Sequence, residues 1–142
     1  MNKYSKALLA DAKQEYTNQL VSILTMPVYE GIKSIYEGAL ESSNTNSNGR
    51  NFLKTFQILL SQTPTWEQEK LDVEYSRIKK NTRCDYLEDL ITAVFVAHTK
   101  ILSSIKSNSQ QKSIDLNIPT GPHFIHNVYI ESARNFWKQP YL

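Results

Sequence analysis

The sequence is poor in the residues that build covalent cross-links and ligand-binding loops. Its 142 residues include one cysteine, Cys84, and four glycines. A single cysteine excludes an intramolecular disulfide bond and a metal site made of several thiolates, and it fits a reducing compartment. The sequence shows no phosphate-binding loop and no pairing of a nucleophile with an oriented base.

Long hydrophobic runs are also missing. The longest uncharged apolar run, residues 90–97, is far shorter than the roughly 20 residues that span a bilayer. Charged residues interrupt the N-terminal segment before the core of a signal peptide can form. We therefore expect a soluble protein that has no membrane span and is not secreted.

Neither sign of charge dominates. Sixteen basic and fourteen acidic residues give a formal charge of +2, which is too balanced for a protein that binds nucleic acid over its whole surface. Any such binding must come from a local patch. Asn, Ile, Lys and Tyr fill 43 of the 142 positions, and because their codons are rich in A and T, an AT-rich genome is indicated.

Hydrophobic residues recur at steps of three and four, which is typical of amphipathic helices. This pattern predicts a single all-α domain over residues 1–142, a bundle of about six helices. The predicted helices cover residues 9–26, 28–40, 52–60, 65–80, 85–106 and 121–139, with Thr120 and Pro140 at the limits of the last. Between them we expect a polar loop at 42–49, a polar linker at 107–113 and a short extended segment at 114–118.

Local signals predict where several helices begin and end. Pro27 is expected to end the first helix and to begin the second. Two residue pairs match the capping box that starts a helix, Thr65 with Gln68 and Asp85 with Glu88. Basic residues before Asp85 and acidic residues after it also match the dipoles of two successive helices.

The helix predicted from Asp85 to Lys106 is expected to be the central, buried helix. Its apolar residues fall in one arc of a helical wheel, and His98 lies near the middle of that arc. A buried imidazole should be neutral and hydrogen-bonded, because burial disfavours its charged form. We therefore predict that His98 is a buried polar residue. The alternative, a general base or pH switch, requires solvent access and a nucleophile.

One face of the fourth predicted helix is a candidate interaction surface. Trp66, Lys70, Val73, Arg77 and Lys80 recur at steps of four and three residues. An aromatic residue with three cations can bind phosphate groups or an acidic partner. Acidic residues three positions before two of these cations also allow the pairs of an ordinary solvated helix. Because the same acids repel a phosphate backbone, an acidic protein is favoured over nucleic acid as the partner.

Two histidines are weak candidates for metal ligands. His123 and His126 are three residues apart at the start of the last helix, a spacing that lets two side chains reach one ion. Strong zinc signatures have a second pair of ligands, which is missing here. We therefore expect no metal and no cofactor, with His126 packed in the core and His123 exposed.

The C-terminal segment is unusually aromatic, with five aromatic residues among its last nineteen. Aromatic residues at helical spacing usually belong to a core. The final residues nevertheless include Trp137 and Tyr141 and lack a polar tail. Two interpretations remain open: this chain is the folded part of a longer protein, or this end docks on a partner.

The chain resembles an uncharacterised domain family of nucleocytoplasmic large DNA viruses, in particular mimivirus-like giant viruses. The blocks that carry the resemblance are Tyr16–Leu20 through Ile35 and Tyr36, Cys84 and Asp85 through His98–Leu102, and Phe124–His126 through Phe136–Lys138 to Pro140 and Tyr141. That family has no assigned active site, so the resemblance supplies no catalytic residue. It implies a viral origin and a location in the infected cytoplasm, the virus factory or the virion.

We therefore expect a non-enzymatic viral structural or protein-interaction module, with a viral or host protein as its partner and homo-oligomerisation as an open alternative. The second hypothesis is a nucleic-acid-associated factor that uses the face from Trp66 to Lys80. The third is a small helical enzyme or metal protein centred on His98, His123 and His126. Salt dependence of nucleic-acid binding and elemental analysis distinguish these hypotheses.

Overall fold

The computed structural model describes residues 3–45, 52–106 and 117–139. These residues form five α-helices and one short 3-10 helix, and no β-strand occurs among them. The helices are α1 (Lys3–Thr45), α2 (Phe52–Ser61), α3 (Gln68–Thr82), α4 (Leu87–Lys106) and α5 (Gly121–Lys138), with the 3-10 helix at Thr63–Thr65. The predicted all-α class is confirmed, and the number of helices is close to the six expected.

The predicted break at Pro27 is wrong, because α1 continues through this residue for 43 residues. Proline removes one backbone hydrogen bond and its ring crowds the preceding turn, at a cost of about 3 kcal/mol. Leu20 and Leu24 before it and Val28 and Ile32 after it are all buried in the same core. Each such burial contributes about 1.5–3 kcal/mol, so packing on both sides outweighs the local cost.

The connections differ in part from the prediction. Residues 42–45 of the predicted polar loop belong to α1, whereas residues 46–49 lie outside the described residues. The linker at 107–113 and residues 114–116 of the predicted extended segment also lie outside them. Asn117 and Ile118 are described and adopt no regular secondary structure.

Helix α5 begins as predicted and α3 does not. The Thr120 hydroxyl accepts a hydrogen bond from the backbone of His123 at 3.4 Å, and Thr120 is the N-cap of α5. The N-cap of α3 is Glu67, and the Thr65 hydroxyl instead donates to the carbonyl of Gln62. The capping box predicted for Thr65 is therefore wrong, because the 3-10 helix uses this residue in its own turn.

The central element is α1 rather than α4. Helix α1 contacts each of the other four α-helices, whereas α4 packs mainly on α1 and to a smaller extent on α5. Helix α4 starts at Leu87, two residues after the predicted start, with Glu88 and Asp89 in its first turn. These acids complement the helix dipole, as predicted. The prediction that α4 is the central helix is therefore wrong. Because α1 does not break at Pro27, it is long enough to contact every other α-helix.

The core lies where α1, α4 and α5 meet the shorter helices. On α5 the buried residues repeat every four positions, at Gly121, Ile125, Tyr129 and Ala133. Cys84 is also buried. Among the described residues no helix is long and apolar enough to cross a membrane.

Candidate interaction surfaces

The face predicted from Trp66 to Lys80 is partly used inside the fold. Trp66 lies before α3, not on it, and packs against the rings of His126 and Tyr129 at centroid distances of 6.3 and 5.3 Å. The ammonium group of Lys70 lies 4.6 Å from the centre of the Trp66 ring. This cation–π contact satisfies Lys70 locally. Trp66 is therefore a packing residue of the α5 contact.

Arg77 joins three helices and is not a free cation. Its Nη2 atom donates to Glu74 Oε2 at 3.0 Å on α3 and to the Tyr129 hydroxyl at 3.0 Å on α5. It also donates to the carbonyl of Pro27 on α1 at 3.2 Å, and Glu30 on α1 lies 3.8 Å from Nη1. Arg77 therefore connects α1, α3 and α5 through hydrogen bonds assisted by its charge, which are stronger than neutral ones.

The Tyr129 hydroxyl completes this cluster by donating to Glu74 Oε2 at 2.9 Å. Burial and the Glu74 carboxylate raise the pKa of Tyr129 well above its ordinary value, although Arg77 opposes the shift. Burial lowers the pKa of Arg77, but its hydrogen bonds to Glu74 and Tyr129 and the charge of the Glu74 carboxylate outweigh that effect and leave the pKa raised. Because both pKa values are raised, Tyr129 stays neutral and Arg77 stays charged in the folded protein.

The remaining predicted interaction residues are exposed where the structure describes them. Val73 is 60% exposed and Trp137 is 49% exposed, and Lys80 is exposed near the end of α3. The structure does not bring Trp137 to the α3 face. Its backbone carbonyl instead accepts a hydrogen bond from Gln57 on α2. Tyr141 lies outside the described residues.

His98 is exposed, so the prediction that it is buried is wrong. Its Nδ1 atom lies 2.9 Å from the ammonium group of Lys13. The helical wheel placed His98 in the apolar arc of α4, but the last buried residue before it is Ala97. Ser104, further along α4, is buried as well, so His98 lies to one side of the covered face. The wheel shows which side chains share a face and does not show which of them the neighbouring helices cover.

The two other histidines have surroundings that differ from those of His98. His126 packs on Trp66 and its Nε2 atom forms a hydrogen bond of 2.9 Å with the carbonyl of Thr63. His123 is exposed in the first turn of α5. Within the described parts of the chain, no group of three or more His, Cys, Asp or Glu side chains could hold a metal ion.

A concave surface of about 600 Å³, lined mainly by apolar side chains, lies between α1 and α5, and we call it the apolar groove. Its floor consists of the buried α1 residues Leu20, Leu24, Val28 and Ile32. The α5 wall repeats every four residues, at Phe124, Val128, Ser132 and Phe136. Its volume lies in the range of sites that bind ligands or partner side chains.

Exposed apolar side chains of α1 and partly buried ones of α4 line the apolar groove. Val21 and Tyr29 line the α1 wall with 59% and 52% of their surface exposed. Val94 and Phe95 of α4 line the groove as well, and the Phe95 ring meets the ring of Phe124 edge to face at 5.9 Å. Apolar side chains that line a concave surface are typical of an interaction site.

Reasoning from the sequence missed this groove, although the sequence contains a signal for it. Residues 16–29 include no Asp, Glu, Lys or Arg. A solvated face of a surface helix normally carries such residues within that length. Yet Tyr16, Val21, Met26 and Tyr29 within this segment are all exposed. The absence of charged residues over this length of a helix was the clue that the sequence offered.

The fold and its surfaces define a small all-α helical-bundle protein with an apolar groove between two helices. The chain belongs to the family of unknown function DUF5764, whose model matches residues 6–142. Comparisons with curated proteins and with solved structures found no match.

Proposed function

We propose that the chain is a non-enzymatic structural or protein-interaction module of a giant virus and that it binds through the apolar groove. The observation that carries this proposal is the groove itself, about 600 Å³ in volume and lined mainly by apolar residues of three helices. Concave, mostly apolar surfaces of this volume are typical of binding sites.

The viral assignment is supported by the resemblance of three blocks of the sequence to a family of giant-virus proteins. The high content of residues with AT-rich codons is in keeping with it. On this proposal the protein acts in the infected cytoplasm, in the virus factory or in the virion. Its partner there is a viral or host protein.

The contacts of the cations speak against a nucleic-acid function on the predicted α3 face. Two of the three cations on that face have partners inside the fold, Lys70 on the Trp66 ring and Arg77 in the cluster with Glu74 and Tyr129. Phosphate binding would have to displace these contacts. An apolar groove, in contrast, fits the desolvated centre of a protein–protein interface.

The proposal assigns no catalytic residue. His126 is bound to a backbone carbonyl and packed on an aromatic ring, and His98 lies beside a lysine. Neither arrangement provides a nucleophile hydrogen-bonded to an oriented base, the geometry that nucleophilic catalysis needs.

The test compares tagged wild-type protein with the variants Val21→Glu and Val73→Glu after expression in infected cells. Both positions are exposed valines, 59% and 60%, but only Val21 lines the apolar groove. We expect affinity purification and mass spectrometry to recover polypeptides that Val21→Glu loses and Val73→Glu retains. An identical set of polypeptides for all three proteins would refute binding through the groove.

A further inference from the structure

A smaller cleft lies on a different side of α1, where this helix meets the end of α3. Its volume is about 260 Å³. The residues that line it are Ile23, Met26, Pro27, Glu30, Asn81 and Thr82. None of them lines the apolar groove, and we call this second site the proline cleft.

Pro27 leaves one acceptor beside the proline cleft without its usual donor. In a regular helix the carbonyl of Ile23 accepts a hydrogen bond from the backbone of residue 27, but proline has no N–H group. This carbonyl points along the helix from Ile23 towards Pro27, and both residues line the cleft. Described side chains donate to the nearby carbonyls of Val21 and Pro27, not to that of Ile23. Because Pro27 is buried, an acceptor next to it gains from a donor placed in the cleft.

The Glu30 carboxylate supplies negative charge at the same cleft. Its side chain is 50% exposed, and its Oε2 atom lies 3.8 Å from Nη1 of Arg77. At this distance the two groups form an ion pair but no hydrogen bond. Arg77 donates two hydrogen bonds to Glu74, at 3.0 and 3.3 Å, so Glu74 already balances its positive charge. The three side chains together carry one net negative charge, which a cation in the cleft would balance.

The end of α3 adds partial negative charge to the proline cleft. Asn81 and Thr82 are the last two residues of this helix. The final carbonyl groups of a helix have no partner within it and form the negative end of its dipole. Lys79 and Lys80 in the same turn are exposed and do not line the cleft. The described lining residues therefore combine acceptors with negative charge and include no lysine or arginine.

The remaining walls of the proline cleft suit an aliphatic chain. Ile23, Met26 and Pro27 present apolar surface there, and Met26 is 61% exposed. The cleft is smaller than the sites of about 300–1,000 Å³ that hold drug-sized ligands, so it suits a group about as large as one side chain. Long cationic side chains lay their methylene groups on apolar surface and keep the charged end in polar surroundings. The proline cleft offers both environments side by side.

We propose that the proline cleft binds an alkylammonium or alkylguanidinium cation. The aliphatic part of the cation lies on Ile23, Met26 and Pro27. Its N–H groups donate to the carbonyl of Ile23 and to the carboxylate of Glu30. Such a group ends the lysine and arginine side chains of a polypeptide, and alkylammonium groups also occur in free polyamines. The cleft shares no lining residue with the apolar groove, so this inference goes beyond the proposed function and does not depend on it.

Nuclear magnetic resonance titration of the whole, isotope-labelled chain at constant ionic strength tests the proposal. The probes are spermidine and the N-acetyl methylamides of lysine and arginine, and the same derivative of norleucine is the matched neutral control. We expect the cationic probes to shift the amide signals of Met26, Glu30 and Thr82, with dissociation constants on the order of 1–10 mM. The norleucine derivative should leave these signals unchanged. No shift with any cationic probe up to about 50 mM, or equal shifts with the neutral control, overturns the proposal.

Variants of the cleft locate the binding site. Glu30→Gln should weaken the binding of the cationic probes by about fivefold, because the ligand loses its ion pair. Pro27→Ala should weaken it by about threefold, because alanine supplies a backbone N–H group that competes for the carbonyl of Ile23. Glu37→Gln, at an exposed position further along α1, is the matched control and should bind as the wild type does. Circular dichroism verifies that each variant remains folded. Equal affinities for all three variants overturn the proposed site.

The same titrations distinguish the two sources of the cation. Tighter binding of the lysine or arginine derivative than of spermidine supports the proposal and assigns the cleft to a polypeptide. Tighter binding of spermidine supports it and assigns the cleft to a free polyamine. Val21→Glu should bind all three cationic probes as the wild type does, because Val21 lines only the apolar groove. A loss of cation binding in this variant would show that the cations bind elsewhere and would overturn the proposal.

Discussion

The hydroxyl group of Tyr129 occupies the space that a side chain on residue 31 would need. Gly31 is buried on α1, and a Cβ atom there would overlap the Tyr129 ring and its hydroxyl. Helices α1 and α5 can therefore approach closely at this point, and the close approach brings Tyr129 to Glu74 and Arg77. The second glycine of α1, Gly38, has no atom within 4 Å of the equivalent position.

The two glycines of α1 should consequently respond in opposite ways to alanine. Gly38→Ala should stabilise the protein by about 0.5–1 kcal/mol, because alanine favours the helix. Gly31→Ala gains the same propensity but should still destabilise it by about 1–2 kcal/mol, because the new methyl group overpacks the contact with Tyr129. Urea unfolding curves measure both changes. Equal effects at the two positions would contradict the contact.

Alkaline pH should destabilise the protein through Tyr129. Burial and Glu74 hold its pKa above the ordinary value of 10 in the folded state, whereas in the unfolded chain it ionises near 10. Unfolding therefore releases a proton between these two values, so the stabilising contribution is complete below about pH 10 and is lost as the pH rises further. Burial also raises the pKa of Tyr75, which adds to the effect.

The variant Tyr129→Phe isolates this contribution. It should lower the free energy of unfolding by about 1–3 kcal/mol at neutral pH, because Glu74 and Arg77 each lose a hydrogen bond. Its stability should also decline less steeply than that of the wild type between pH 9 and pH 11. Tyr86→Phe, at an exposed position, is the control and should follow the wild type. The measurement is urea unfolding at each pH.

Replacing Arg77 by alanine should destabilise the protein by about 1–3 kcal/mol, since partly buried partners on three helices lose a charged donor. Arg134 offers a matched control, because it pairs with Glu131 at 3.2 Å on an exposed part of α5. Arg134→Ala should change the stability by less than about 1 kcal/mol, as is usual for surface ion pairs. Thermal unfolding followed by circular dichroism compares them. Similar losses for both variants would show that Arg77 does not join the helices.

DNA and RNA should not bind appreciably at low salt if the apolar groove is the functional surface. Binding with a steep loss of affinity as salt increases would instead support the nucleic-acid hypothesis. Charge reversal of Lys70 and Lys80 is the appropriate control in that assay. Arg77 is unsuitable for it, because its reversal would disturb the fold through Glu74 and Tyr129.

The start of α5 offers a test of the capping assignments. Thr120→Ala should lower the free energy of unfolding by about 0.5–1 kcal/mol, because the N-cap loses its acceptor. Thr65→Ala should have a smaller effect, since Thr65 is not the N-cap of α3. Chemical unfolding of the two variants under the same conditions gives the comparison. A larger loss at Thr65 would mean that the capping box expected from the sequence is present in solution.

Local sequence signals predicted the start of a helix where that start depends on residues close by in the sequence. The N-cap at Thr120 and the acids in the first turn of α4 are signals of this kind. The helix end predicted at Pro27 was wrong because only the local cost of proline in a helix was considered. Apolar residues on both sides of Pro27 are buried in the core, and their packing outweighs that cost. Intrinsic helix propensity is a weak predictor of where a helix ends when tertiary packing is extensive.

The interaction surface was predictable only in part. The sequence shows which residues share a helix face, and Val73 and Lys80 are exposed as that pattern requires. It does not show that Arg77 reaches Tyr129, 52 positions away in the sequence, nor that α1 and α5 leave a groove between them. Such relations depend on the angle and separation of helices, which periodicity within one helix does not determine.

The unequal burial along α1 divides this single helix into two regions of different local stability. Residues 3–19 have no buried side chain, whereas residues 20–39 include Leu20, Leu24, Ile32 and Ala39 in the core. Amide hydrogens of the first region can exchange with solvent by fraying of the helix end, but those of the second require the whole bundle to unfold. A partner that covers the first region would therefore slow amide hydrogen exchange at residues 3–19. The rest of the helix does not protect these residues.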